Sequence, residues 1–531
     1  MVSSIPARAS AETEKSTMPS ETETGRTVVL YPGVGVGHLV PMVELAKVFV
    51  RHGLAVTVAL VEPPRLELLG FSAAVARAAA DNPSVTFHVL PSPPPAPGKD
   101  AAASNGAASN TGGDHNVVQV MVRHLDGMNV PLRDFMRSMA PSVRALVLGM
   151  FCFRALDVAA ELGLPAYFFY PSGGGAVAVL LHLPSMHPRV NDAGLGDSVV
   201  VCPGVPPFKP SELPTVLDGS DGGETAGYFL RMSELMAESS GIILNTFEWL
   251  ETRAVHALKD GLCVPRGRAT PPVYCVGPLV SGGGGGGATE HECLRWLDAQ
   301  PDQAVVFLSF GSRGTFPKKQ LDEIAAGLER SGQRFLWVVR SPTVAINDSN
   351  GEDGALAGAP PLEPDLDALL PAGFLERTEG RGLVVRSWAP QVEVLRHRAT
   401  GTFVTHCGWN STLEAVTAGV PLLCWPLYAE QRLNKVLIVE GMELGAEIEG
   451  YDEETVAAEE VEAKVRWVME SDGGHALRRR AAAAKDAAAR ALEEGGTSYV
   501  AVSDFVEGLR TSNGRTKVSV SDFSGFGTKL K

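Results

Sequence analysis

Residues 401–419 read GTFVTHCGWNSTLEAVTAG, and their local pattern decides the fold. A β-type run, Gly401 to Thr405, feeds a turn, His406 to Ser411, and then a helical segment, Thr412 to Ala418. A buried strand that turns straight into a helix is the repeating unit of a parallel sheet with helices on its faces. The turn is also an anion site by construction. The first N–H groups of a helix lack intrahelical partners, and its positive dipole end faces whatever sits in the turn. Read locally, Ser411 and Glu414 form a Ser-x-x-Glu capping box.

Outward from this stretch the same alternation fills most of the chain. On the N-terminal side, strands are predicted at Thr27 to Tyr31, Ala55 to Val61, Val85 to Leu90, Ala145 to Leu148, Ala166 to Phe169 and Gly241 to Asn245. Helical patterns lie between them, notably Leu39 to Val50 and Val117 to Met139. After Ser281 to Gly287, which holds six consecutive glycines, the alternation restarts: strands at Ala304 to Phe310, Phe335 to Val339, Leu383 to Arg386, Gly401 to Thr405 and Pro421 to Cys424, with helices at Lys319 to Arg330 and His475 to Glu494. Pro91 to Asn116 and Asn347 to Leu370 read as insertions, and Leu181 to Ser220, rich in Pro and Gly, as irregular surface. The expectation is two α/β domains of similar size, 26–280 and 291–511, joined by a glycine-rich linker at 281–290. Tails at 1–25 and 512–531 are expected to be disordered, and the carboxyl edges of the two sheets face a common cleft.

Composition narrows the chemistry. The 531 residues are 45% apolar and 20% charged, with net charge −15 and pI near 5.4. That balance argues against general binding of nucleic acid or anionic membranes, which needs a basic face. An anionic ligand has to be held by local devices. Seven scattered cysteines show neither CxxC pairs nor a compact framework, which points to reduced thiols, no metal cluster and a cytoplasmic setting. The first 25 residues lack the apolar core of a signal peptide, no run of about 18 apolar residues marks a membrane span, and Met18 offers an alternative start. A monomer is expected.

The 44-residue stretch from Trp388 to Gln431 resembles the signature box of plant family-1 UDP-sugar glycosyltransferases. Gly-His-Leu-Val-Pro (37–41), Gly-Ile-Ile-Leu-Asn-Thr-Phe (241–247), Leu-Ser-Phe-Gly-Ser (308–312) and Glu-Gly-Gly-Thr-Ser (494–498) resemble that family in the same order. The resemblance implies a GT-B fold, two Rossmann-like domains with the sugar donor on the C-terminal half and the acceptor on the N-terminal half. It implies that Trp388 stacks on uracil, that Ala389 and Gln391 hold the base edge and a ribose hydroxyl, and that Glu414 clamps the ribose diol. Ser312, His406, Gly408, Asn410 and Ser411 would hold the diphosphate. Trp409, Glu430, Gln431 and Ser172 would meet the sugar, with Gln431 pointing to glucose although the family often has Asp where this chain has Glu430. Without that context, Trp388 reads as a core residue and His38 as a surface one. Within it His38 is the general base, since imidazole titrates near neutral pH. No metal and no cofactor beyond UDP-glucose as co-substrate is implied, and in-line displacement at an α-linked donor gives a β-glycoside to a small aromatic acceptor.

A second reading of the first glycine loop, Gly33, Gly35 and Gly37 after a strand with Glu62 closing the next one, is a dinucleotide fingerprint. It fails because G-x-G-x-x-G requires glycine where the chain has His38. One departure from the family matters more. Ala145-Leu-Val-Leu-Gly-Met-Phe151 puts Gly149 where members usually carry the Asp that orients the catalytic His, and Arg154 where a second acid is common. Asp157 falls on the following helix. A base without its acid is weaker and less well oriented. A phenol has a pKa of about 10 and an alkanol one of roughly 16, a difference of about 8 kcal/mol, so an acidic, flavonoid-like phenol is the expected acceptor. Restoring an acid by Gly149→Asp is expected to raise activity if its loss is a defect. Two alternatives stay open: transfer to carbon, giving acid-resistant products, and a weakened homologue that binds UDP-sugar without turnover.

Overall fold

The structure, a computed structural model, describes residues 27–62, 71–92, 113–190, 199–217, 223–265, 267–282, 291–341 and 363–511. The expected tails, and residues 283–290 of the expected linker, lie outside them. Two all-parallel sheets carry the described chain. The first contains β1 (Thr27–Tyr31), β2 (Ala55–Leu60), β3 (Thr86–Val89), β4 (Val143–Gly149), β5 (Ala166–Tyr170), β6 (Gly241–Leu244) and β7 (Val273–Cys275), in the order β3-β2-β1-β4-β5-β6-β7. The second contains β8 (Val305–Ser309), β9 (Arg334–Val339), β10 (Gly382–Arg386), β11 (Thr400–Thr405), β12 (Leu422–Cys424) and β13 (Gly445–Glu447), in the order β10-β9-β8-β11-β12-β13.

Strand composition accounts for this arrangement. β1, β4, β8 and β11 are runs of Val, Leu, Phe and Thr buried on both faces, as central strands of a covered parallel sheet must be. Each sheet reverses direction of growth once, between β1 and β4 and between β8 and β11. At such a switch point the loops from neighbouring strands part and leave a crevice beyond the carboxyl ends. His38 and Gly149 flank the first crevice; Ser312 and His406 flank the second.

Several sequence expectations need correction. The Val117 to Met139 pattern is two helices, Gly113–Gly127 and Asn129–Met139. Pro131 has no N–H to give the carbonyl of Gly127, so a continuous helix would lose that bond. β7 and β13 were not anticipated, because three-residue edge strands show no periodicity. The described part of Leu181 to Ser220 is not all surface coil. Its start belongs to the helix Gly174–Val190, and Cys202, Val205, Phe208, Leu213, Val216 and Leu217 are buried in the core of the first sheet.

The chain also returns. Its last described helix, Thr497–Thr511, packs on the N-terminal sheet: Phe505 stacks on Phe49 at 5.0 Å and meets Tyr167 and Tyr274 edge-on at 4.8 and 5.5 Å. Phe505→Ala should cost about 3–5 kcal/mol. Urea denaturation should show that loss, and limited proteolysis should cut the C-terminal helix early.

Candidate active site

The donor-side turn is built around His406. β11 ends at Thr405, whose Oγ1 accepts from the Cys407 amide at 3.3 Å, and the chain enters the helix Trp409–Ala418 with Gly408 as N-cap. No side chain caps this helix, so its first N–H groups remain for a ligand. The capping box is therefore absent: the helix begins before Ser411, which lies inside its first turn. Ser411 and Glu414 instead both accept from Gln391 Nε2, at 2.9 and 2.7 Å, while Gln391 Oε1 accepts from Ser309 at 2.9 Å. Three of the expected donor residues thus hold one another in place. Burial pushes the Glu414 carboxyl up to about 7, against the opposing pull of its Gln391 hydrogen bond.

The imidazole of His406 lies against two glycines. A Cβ at Gly311 would come within 2.6 Å of its Nε2 and one at Gly408 within 2.5 Å, and Gly311 also has φ +74°. Only glycine fits either place. The His406 Nδ1 is buried with no hydrogen-bond partner among the described residues, and burial lowers the ring to about 4. His406 is therefore neutral at pH 7. Ser312 is exposed in the neighbouring turn, and Arg313, which the sequence reading passed over, lies 4.8 Å from the Tyr428 ring centroid as a cation–π contact.

Trp388 is 56% exposed and touches His291 edge-on at 5.8 Å, so the core reading of this residue is overturned. Its indole is an open platform beside buried Ala389. On the sugar side, Gln431 is buried with Oε1 tied to the amides of Leu427 and Tyr428, both at 2.9 Å. Glu430 precedes it as N-cap, its carboxyl raised by burial. Ser172, just past β5, is 5% exposed and its hydroxyl has no partner among the described residues. Trp409 is buried and donates its indole N–H to the Asn245 carbonyl at 2.7 Å, across the two sheets' domains.

The facing half centres on His38. Gly35, at φ 105°, lets the chain leave β1 and start the helix Val36–Arg51, with His38 in its first turn. The His38 ring is half-buried and edge-on to Phe151 at 5.4 Å, and it makes no hydrogen bond among the described residues. Burial lowers it to about 4. Asn410 Nδ2 reaches across the cleft to the Gly37 carbonyl at 3.4 Å, so the donor turn touches the loop that carries His38.

Among the described residues no carboxylate pairs with His38. Arg154 pairs with Asp126 at 3.0 Å and lies 5.9 Å from the Tyr228 ring, and Asp157 is exposed in the first turn of its helix. The place of the missing acid is filled by backbone: a Cβ on Gly149 would lie 2.5 Å from the Pro32 carbonyl oxygen. Pro32 belongs to the loop that positions His38. This geometry argues against the expectation that an acid at 149 raises activity. No group of three or more His, Cys, Asp or Glu suited to a metal occurs among the described residues, no described helix is long and apolar enough to cross a membrane, and all seven cysteines are free and buried.

Residues 285–474 match the family model described as UDP-glucoronosyl and UDP-glucosyl transferase. The chain is 40% identical over 510 residues to anthocyanidin 5,3-O-glucosyltransferase of a Rosa hybrid cultivar, covering 91% of this chain and 98% of that one. The chain belongs to the plant family-1 UDP-glycosyltransferases. Phloretin 2'-O-glucosyltransferase of Pyrus communis is 39% identical over 505 residues, 91% of this glycosyltransferase and 100% of that protein. The solved structure of Phytolacca americana UGT2 with UDP-2fluoro-glucose and pterostilbene is 32% identical and superposes with a TM-score of 0.76, covering 92% and 100% of the two chains. The two parallel-sheet domains are thus the GT-B fold that the sequence led us to expect.

Gly149→Ala and Gly149→Asp meet the same Pro32 carbonyl. Each should cost about 1–3 kcal/mol of stability as an overpacked site, and each should lower kcat. Thermal denaturation and steady-state kinetics of the pair check this; Asp outperforming both Ala and wild type would show that the loop yields and the acid is useful.

Proposed function

We propose that this glycosyltransferase transfers glucose from UDP-glucose to a small phenolic acceptor, with inversion, giving a β-O-glucoside. The observation that carries the reading is the Asn410–Gly37 contact, which sets an uncapped helix N-terminus and a histidine-bearing loop on opposite sides of one cleft. Two relatives named for glucosyl transfer to anthocyanidin and phloretin support the acceptor class, as does the complex of the Phytolacca protein for the donor class.

In this reading uracil stacks on Trp388, Ala389 and Gln391 meet the base edge and ribose, and Glu414 takes the ribose diol. The diphosphate lies over the turn of His406, Gly408, Asn410 and Ser411, opposite Ser312. The sugar hydroxyls face Trp409, Glu430, Gln431 and Ser172. The acceptor oxygen attacks the anomeric carbon from the His38 side as the bond to the diphosphate breaks, His38 takes the acceptor proton, and the helix amides stabilise the charge left on UDP. An imidazole held near 4 without an acid partner is a poor base. That favours a phenol of pKa about 10 over an alkanol. Transfer to carbon and binding without turnover have no separate support in the geometry.

Mass spectrometry of products from UDP-glucose and a mixed panel of phenols and aliphatic alcohols should show acid-labile phenyl glucosides as the main products. His38→Ala should lower kcat by about 10²–10⁴. Faster turnover of the alcohols would sink the acceptor assignment.

The donor half has a pH signature. A carboxylate clamping two hydroxyls must be ionised, and Glu414 titrates at about 7. Below that pH it is protonated and the clamp is lost; above it the clamp is present. Uridine, which has no phosphate to titrate, should therefore bind more weakly as pH falls from about 8 to about 6. Calorimetry should show Glu414→Gln binding weakly and without that slope.

A further inference from the structure

Beyond the two faces of the cleft, a buried charge cluster joins them. Lys435 Nζ lies 3.0 Å from Glu212 Oε1 and 3.1 Å from Glu447 Oε2, and the Lys435 and Glu212 side chains are only 7% and 12% exposed. Tyr451 donates its hydroxyl to the other Glu212 oxygen at 3.0 Å, so both carboxylate oxygens are engaged. Arg432 donates to the Ser211 carbonyl at 3.3 Å and lies 5.7 Å from the Tyr451 ring. Burial alone would depress the Lys435 ammonium; Glu212 overrides it and holds Lys435 charged.

The two ends of the pair belong to different halves. Lys435 sits one turn after Gln431 on the helix Gln431–Val436, four residues apart and hence on one face. Glu212 ends a short turn, Pro210–Glu212, in the segment 199–217. The next turn of that segment, Thr215–Leu217, packs on the helix Glu224–Glu238. That helix carries Phe229, which meets Phe151 edge-on at 6.3 Å, and Phe151 meets His38. Packed groups thus run from the Gln431 helix to the base without a break.

We propose that Lys435 and Glu212 are positioning residues: their buried ion pair fixes segment 199–217, and through it the aromatic wall at Phe229 and Phe151, in register with the donor-sugar helix. Dispersion between apolar faces would hold the segment but not its register. A charged pair with both carboxylate oxygens occupied accepts one geometry. As a source of stability alone such a pair is poor, because desolvation offsets most of its attraction. The role rests on the acceptor reading above only for the choice of probe.

The test uses Glu212→Gln, Lys435→Met and the apolar double variant Glu212→Leu/Lys435→Met, which fills the same space without charge. UDP affinity by calorimetry, thermal stability, KM for a phenol and the rate of UDP-glucose hydrolysis without acceptor are measured on each. The single variants should keep UDP affinity within about twofold while the KM for the phenol rises about tenfold or more, the scale expected when a reactant is misplaced by a fraction of an ångström. A larger share of donor should go to water. The double variant should recover thermal stability and retain the raised KM, which also keeps the test valid if a single variant fails to fold. The proposal is overturned if the double variant restores KM along with stability, if UDP affinity falls as far as KM rises, or if neither changes. Wild-type turnover of the phenol is the control: none at all would defeat the acceptor reading, whereas normal turnover with unaltered variants defeats the pair.

Discussion

The indole N–H of Trp409 and the carbonyl of Asn245, 2.7 Å apart, form the joint on which the site depends. Trp409 opens the helix whose uncapped amides face the His406 turn, and Asn245 follows β6 in the other half. A buried indole needs a partner for its N–H, and leaving either group unpaired costs about 1–3 kcal/mol, so the joint fixes where the donor helix can start. Asn245 serves twice: its Oδ1 accepts the Leu279 amide at 2.7 Å, which pins the chain as it leaves the N-terminal sheet. Around the ring there is no spare volume. A Cβ on Gly173 would lie 2.5 Å from Trp409 Cη2, and the next two amides, of Gly174 and Gly175, donate to the buried carboxyl of Glu251 at 2.7 and 2.8 Å.

A diphosphate donor, as proposed, would meet a protein of net charge −15, and the devices available to hold it are local. His406 is neutral because burial between glycines removes the solvent its charged form would need. Toward a donor it would therefore offer a hydrogen bond rather than a charge. The remaining field comes from an uncapped helix end, whose dipole is worth about half an elementary charge and needs no desolvated cation. The exposed guanidinium of Arg313, over Tyr428, lies on the loop next to Ser312.

Legibility in the sequence follows distance along the chain. The parallel strands are readable because each is a short apolar run, and residues 388–431 are readable because they converge within a single strand-turn-helix unit and its neighbours. The Gln391–Ser411–Glu414 cluster was visible as residues but not as an arrangement, since a capping box and a hydrogen-bonded triad share one spacing. Contacts between distant segments left weaker marks. Segment 199–217 reads as coil because five prolines interrupt any periodicity, yet Cys202, Val205, Phe208, Leu213, Val216 and Leu217 are buried while Val199 and Val201 stay exposed. Glu251 sits in the same run as Asn245, but a buried carboxylate at a helix end has no local signature. The docking of Phe505 on Phe49 depends on a chain reversal that no periodicity encodes.

Gly149 shows how a substitution can be misread when only its chemistry is weighed. From the sequence it is an acid removed; in the structure it is the only residue type that admits the Pro32 carbonyl at that distance. The loop from Pro32 to Gly37 rests on β4 there, and on Asn410 at its other end. The absence of a side chain at 149 and the close seat of the His38 loop are consequently one feature. In the proposed reaction a histidine near 4, edge-on to Phe151, would contribute mainly by placement and by receiving a proton late in the transfer. In the proposed reaction the barrier falls most for an acceptor whose own acidity supplies what a carboxylate partner would have given, because each pKa unit is about 1.4 kcal/mol. Under that proposal the register of the Phe229–Phe151 wall would matter more than in an enzyme with a strong base, since orientation would carry a larger share of the rate.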